Sequence, residues 1–204
     1  MDSEVKNQEQ EKTEKEISKK KYGAKTIHLK KSEGTASLYE WVHSLVFAVA
    51  VVVILLTFFI RLVDVSGTSM KQTLQHEDKV IVTNFFYTPK QGDIVVISHG
   101  AEYSEPIIKR VIATEGQSLE IDFKSESVIV DGVELKEDYI QGHTHQEDGE
   151  IPKVIPEGKV FVMGDNRGVS MDSRSRKIGL IDVDDVIGKA RCVVYPFTDM
   201  KFLG

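Results

Sequence analysis

The sequence predicts a mainly β protein: an antiparallel β-sheet domain with a small insertion lobe, preceded by one N-terminal transmembrane helix. Three observations in its 204 residues lead there. Trp41 to Ile60 contain no Asp, Glu, Lys or Arg, and at about 1.5 Å per helical residue such a block spans roughly the 30 Å hydrocarbon core of a bilayer. Beyond Lys79 the apolar residues come in short runs separated by turn residues, the pattern of strands. No long stretch of helical periodicity follows the apolar block.

Residues 1–40 carry nine basic and eight acidic groups and few apolar ones. Such a segment buries too little surface to offset chain entropy, and a disordered tail is expected. A charged helix is the alternative, since Glu, Lys and Gln are good helix formers.

Residues 41–62 are read as the transmembrane helix. The block begins some forty residues in, whereas a cleaved secretory signal places a shorter apolar region close to the start, so the segment is expected to stay in the mature protein. Tyr39 and Trp41 stand at its entrance, where aromatic rings suit the membrane interface. Lys21, Lys25, Lys30 and Lys31 precede it, against Arg61, Lys71 and Lys79 after it. The balance favours a cytoplasmic N-terminus, which places residues 63–204 outside the membrane.

In that domain Val80–Val82, Ile94–Ile97, Ile107–Ile112, Leu119–Phe123, Val128–Val130, Val160–Met163 and Ala190–Tyr195 read as strands. Asp131-Gly132 is a hairpin turn signal. The stretch from Gln141 to Gly158, with its glycines and prolines, reads as loop, and residues 115–158 as an insertion lobe apart from the main sheet. Phe85-Phe86-Tyr87 is expected to pack in the core, with contact to lipid as the alternative.

Composition excludes several function classes. The net charge of −6 and the lack of a basic stripe after residue 61 argue against nucleic acid as a partner. The single cysteine, Cys192, makes no intrachain disulfide, and zinc-type cysteine patterns are absent.

Three segments carry candidate chemistry. Gly67-Thr68-Ser69 follows the apolar block, and a serine there can act as a nucleophile whose backbone N–H helps hold an oxyanion, although Gly-x-Ser also occurs in ordinary turns. None of His76, His99, His143 and His145 lies in a triad-like context, which leaves lysine as a base. Lys109 sits between Ile107-Ile108 and Val111-Ile112, where burial disfavours the ammonium. Bringing its pKa from about 10.4 to roughly 7 or 8 takes about 3 to 5 kcal/mol. The rival reading turns Lys109 to solvent. The third segment, Gly164-Asp165-Asn166-Arg167 through Ser170, Asp172, Ser173 and Arg174, is too dense in polar groups for packing. A turn braced by Asp172 with Arg174 fits it, and the ligand spacing and terminal Glu of a calcium loop are missing.

Together these segments resemble the bacterial type I signal peptidases, membrane-anchored Ser/Lys proteases. The likeness rests on Gly67-Thr68-Ser69-Met70 with Thr73-Leu74, Gly92-Asp93-Ile94-Val95-Val96, Ile108-Lys109-Arg110-Val111 with Gly116, the Gly164–Arg174 segment, and Gly179, Gly188-Lys189-Ala190 and Pro196. The resemblance implies Ser69 as nucleophile and neutral Lys109 as general base. Ser170 would orient the lysine, Asp172 and Arg174 would brace the site, and the Ser69 N–H would hold the oxyanion. Asp165 and Asn166 would support the loop. Gly67 stands where some members have a serine hydroxyl. The implied reaction is removal of signal peptides from exported preproteins, after small residues at −3 and −1, at the outer face of the membrane. Exported preproteins and membrane lipid are the implied partners, a monomer the expected state, and no cofactor or metal is implied.

Two departures stand out: Gln72 replaces a usual proline, and Ala113 a usual glycine. Tuning, not inactivation, is expected from Gln72, and Ala113 argues against a tight backbone approach at its position. Ser69-Met70-Lys71-Gln72 is not Ser-x-x-Lys, so a penicillin-binding reading fails. A self-cleaving repressor peptidase lacks support because a span and charged tail stand where a DNA-binding module would be. A peptidase restricted to pilin-like substrates and a non-catalytic membrane-tethered β module stay as alternatives.

Overall fold

The computed structural model describes residues 13–17 and 33–204. Most of the expected tail, residues 1–12 and 18–32, lies outside the described residues; residues 13–17 are helical. The chain divides into two compact units, Met1–Val49 and Ala50–Gly204.

Helix α1 runs from Glu33 to Phe59. Its window Ser37–Ile54 is apolar, long enough to cross a membrane and not buried by the rest of the chain, as fits a single-pass anchor. Both ends differ from the sequence reading. Residues 33–40, expected in the tail, are helical, because extending an existing helix adds a hydrogen bond for each residue fixed. Residues 60–62, counted with the span, open strand β1 (Ile60–Asp64). There the backbone pairs with β2 (Lys79–Thr83) from Ile60↔Thr83 to Asp64↔Lys79, so the sheet replaces the helical ladder.

The main sheet adds β3 (Ile94–Ile97), β4 (Ile107–Thr114), β8 (Lys159–Met163), β9 (Ile181–Asp182), β10 (Val186–Tyr195) and β11 (Lys201–Phe202). Its order is β1-β2-β10-β3-β4-β8-β9, with β11 paired to β10, and every pairing is antiparallel. β5 (Leu119–Asp122), β6 (Ser127–Val130) and β7 (Val133–Glu134) form a separate three-stranded sheet. Asp131 and Gly132, both at positive φ (52° and 76°), make the β6–β7 turn with Val130 opposite Val133.

Strand alternation distributes the core. In β3, Ile94 and Val96 face one cluster with Met70, Leu74, Val80 and Val82, while Val95 and Ile97 face another with Val111, Val162 and Ile178. The insertion has its own sheet but not its own core: Leu119, Val128 and Val130 pack with Ile112, Phe161 and Met163 from β4 and β8. Tyr87 packs against the second cluster, whereas Phe85 and Phe86 are exposed.

Candidate active site

Ser69 lies on the turn after β1, and the chain around it is pinned from both sides. Val65, Met70 and Leu74 are buried in the first cluster, and the Thr73 and Leu74 N–H groups donate to the Met70 carbonyl in one helical turn. Asn166 completes the hold: its N–H donates to the Ser69 carbonyl at 2.9 Å and its Nδ2 to the Thr68 carbonyl at 3.1 Å. Among the described residues nothing accepts from the Ser69 N–H.

Lys109 comes from β4, where alternation places it on the face shared by Ile107 and Val111. Only 3% of it is exposed, so the solvent-facing alternative is overturned. Its Nζ donates to Ser69 Oγ at 2.8 Å. Burial pushes the amine down to about 8; the Asp172 and Asp165 carboxylates oppose that shift and the Arg174 guanidinium adds to it. The pair opens on a cleft of about 310 Å³ lined in part by Val63, Thr68, Ile107 and Met171.

Asp172 and Arg174 form an ion pair, both fully buried. Arg174 Nε and Nη2 reach Asp172 Oδ1 and Oδ2 at 2.8 and 2.9 Å, and the Gly164 N–H donates to Oδ2 at 2.9 Å. The remaining Arg174 donors reach the carbonyls of His145, Arg167 and Ser170. Asp165 accepts from Arg110 Nε at 2.8 Å and Nη2 at 2.6 Å, and also from Thr73 Oγ1. Gly67 has φ 90° and open space where a Cβ would stand, and its N–H donates to His76 Nδ1 at 3.3 Å.

Ser170 departs from expectation. Its N–H donates to the Asn166 carbonyl at 3.0 Å, but its Oγ is buried and makes no hydrogen bond, so it does not hold the Lys109 amine. The turn that places it is fixed by backbone bonds, and the hydroxyl points at Gly164, whose added Cβ would lie 2.1 Å away.

Five further residues converge here that carried no role in the sequence reading: Thr73, Arg110, Glu137, Tyr139 and Arg167. Buried Arg167 pairs with Glu137, and its Nε donates to the Gly164 carbonyl at 3.2 Å. The sequence signal was an arginine inside an apolar strand and another in a buried loop, each requiring an acid; which acid answers is a matter of tertiary placement.

A family model described as signal peptidase, peptidase S26, matches residues 38–195. The chain belongs to that family. Signal peptidase I of Bacillus licheniformis is 34% identical over 176 residues, covering 81% of this chain and 92% of that one. Signal peptidase IB of Staphylococcus aureus (strain MRSA252) is 32% identical over 184 residues, covering 81% and 93%. A crystallised signal peptidase I from Enterococcus faecalis V583 matches with a TM-score of 0.44 and 26% identity over 50% of this chain and 97% of that one.

The chain is thus a peptidase of the signal peptidase family, and its two departures acquire a structural setting. Gln72 has φ 86°, which proline, fixed near −65°, cannot adopt. Ala113 is fully buried beside Phe161, at the bulge in the β4–β8 pairing. Among the described residues no group of three or more His, Cys, Asp or Glu is placed to hold a metal.

Proposed function

We propose that this peptidase is a Ser/Lys-dyad signal peptidase I that removes signal peptides from exported preproteins. The observation that carries the reading is the 2.8 Å bond between Lys109 Nζ and Ser69 Oγ in a site where the lysine is buried. With a pKa of about 8, roughly a tenth of Lys109 is neutral at pH 7, against well under a thousandth for an ordinary lysine.

Neutral Lys109 takes the Ser69 proton as Oγ attacks the scissile carbonyl carbon. The resulting oxyanion is held by the unpaired Ser69 N–H. Lys109 then returns its proton to the leaving amine, the C–N bond breaks, and the signal peptide stays as an ester on Ser69. A water, deprotonated by Lys109, attacks the ester; its proton returns to Ser69 Oγ as the C–O bond breaks. The Asp172–Arg174 pair and Asn166 keep the two loops in register.

The N-terminus is cytoplasmic, the domain is extracytoplasmic, and the enzyme acts as a monomer resting at lipid. Cleavage follows small residues at −3 and −1. Because the anchored enzyme and a substrate held by its own apolar segment share one bilayer, they meet at raised effective concentration.

The test is incubation of the full chain in detergent with several preproteins and sequencing of the new N-termini. Ser69→Ala and Lys109→Ala are expected to abolish cleavage while the protein stays folded. Full activity in either variant overturns the dyad, and new N-termini from pilin-like substrates alone would restrict the substrate set.

A further inference from the structure

The segment after the three-stranded sheet reaches the site through two side chains that the mechanism above does not use. Tyr139 stacks on Arg110, with the guanidinium carbon 3.8 Å from the ring centroid. Its hydroxyl donates to Glu137 Oε1 at 3.0 Å, and the same oxygen accepts from Arg167 Nη2. The backbone clips this segment to the loop that carries Asp165: the Gln141 N–H donates to the Asp165 carbonyl at 2.7 Å, and the Arg167 N–H donates to the Gln141 carbonyl at 2.7 Å.

Arg110 directly follows Lys109, and strand alternation sends the two side chains to opposite faces of β4. Arg110 Nη1 donates to the Gly92 carbonyl at 2.9 Å, while Nε and Nη2 grip Asp165. With its edges engaged, the guanidinium offers only its flat faces, and Tyr139 covers one. Asp165 in turn accepts from Thr73 Oγ1, in the helical turn that contains the Ser69 neighbour Met70. Ring, guanidinium, carboxylate and nucleophile turn therefore form one contiguous chain of directional contacts.

We propose that Tyr139, held by Glu137, is a positioning residue of the peptidase: by stacking on Arg110 it locks the strand that carries Lys109 to the turn that carries Ser69. The inference rests on the dyad reading of the site. Tyr139 does not line the cleft, so its loss acts on the alignment of the reacting groups and falls on kcat, with KM little changed. A leucine fills similar space but offers no π face to hold the guanidinium plane.

Steady-state cleavage of a preprotein by the full chain in detergent, measured across pH, tests this. Tyr139→Leu is expected to lower kcat about tenfold, with KM within about twofold of wild type. Its acid limb should move to higher pH, because a less firmly held Arg110 leaves more Asp165 charge facing Lys109. Tyr139→Phe, which keeps the stack, should retain most of kcat. Arg110→Lys removes the planar fork with the ring in place and should reproduce the loss and the limb shift, which keeps the inference testable if Tyr139→Leu fails to fold. The double variant should be no worse than Arg110→Lys alone. Wild-type kcat in Tyr139→Leu, a loss confined to KM, or additive losses in the double variant overturn the inference. An active Lys109→Ala overturns the dyad itself, whereas an inactive Lys109→Ala beside an unaffected Tyr139→Leu overturns the positioning role alone.

Discussion

Gly164 passes so close to Ser69 that a Cβ added to it would stand 2.6 Å from the Ser69 carbonyl oxygen, as well as 2.1 Å from Ser170 Oγ. Asn166 holds the Ser69 carbonyl and the Ser170 backbone, so the unbonded Ser170 hydroxyl can turn aside but the Ser69 carbonyl oxygen and the Ser170 Cβ, 2.5 Å from the added carbon, cannot. Gly164→Ala is therefore expected to displace the nucleophile turn and reduce kcat/KM at least about a hundredfold, as misplacement of reacting groups by about an ångström does. Preprotein cleavage by the folded variant checks it; activity within about threefold of wild type would contradict the close packing.

The lowered pKa of Lys109 makes a signed prediction for rate. In the proposed mechanism the working form is neutral, so kcat/KM should rise tenfold per pH unit below about 8 and level off above it. A profile flat from pH 6 to 9 would remove the titrating lysine from the mechanism.

The same shift makes a prediction for stability. Between about 8 and the ordinary lysine value of 10.5, the unfolded chain binds more protons at Lys109 than the folded one, so stability rises with pH across that window. Below it the buried ammonium carries its full cost, about 3 kcal/mol. Lys109→Met should therefore be inactive yet raise the thermal unfolding midpoint at pH 6, with the gain shrinking as pH climbs past 8. A lower midpoint at pH 6 would show that the lysine is not destabilising.

Asp172 and Arg174 are fully buried and satisfy each other. Asp172→Asn removes the bidentate partner of a buried guanidinium and leaves it only Glu147, at 3.7 Å, so it should destabilise by about 3 kcal/mol. Asp172 also opposes the lowering of the Lys109 pKa, so any folded variant should show its acid limb at lower pH. Denaturation midpoints and a pH–rate profile measure the two effects separately.

Gln72 occupies the left-handed region at φ 86°. Glycine adopts that conformation without a Cβ clash and proline not at all. Gln72→Gly should hold or raise stability by up to about 1 kcal/mol, while Gln72→Pro should lower both stability and activity. Equal midpoints for the two variants would mean that the turn readily adopts another backbone path.

Much of the sheet was legible because a short apolar run bounded by turn residues is a local property: β2, β3, β4, β8 and β10 each announce themselves by their own runs. β1 was hidden because Ile60 closes the apolar block and Arg61 and Leu62 are counted with the span, and only pairing with β2 makes them a strand. β7, β9 and β11 are two residues each and exist through their partners. In the site, the Asp172–Arg174 brace was readable from its spacing of two residues. The Arg110–Tyr139 stack was not, since nothing in either segment points to the other.

By itself the sequence determined the apolar span, the short apolar runs of the strands and the three polar segments that hold the candidate site residues, because each is written in the pattern of one stretch of chain. Tertiary structure alone decided that Lys109 is desolvated, that its amine meets a serine forty positions away, and that the Ser170 hydroxyl goes unbonded. Distance and desolvation depend on atoms from segments far apart in the chain, and no periodicity within a segment records which others will surround it.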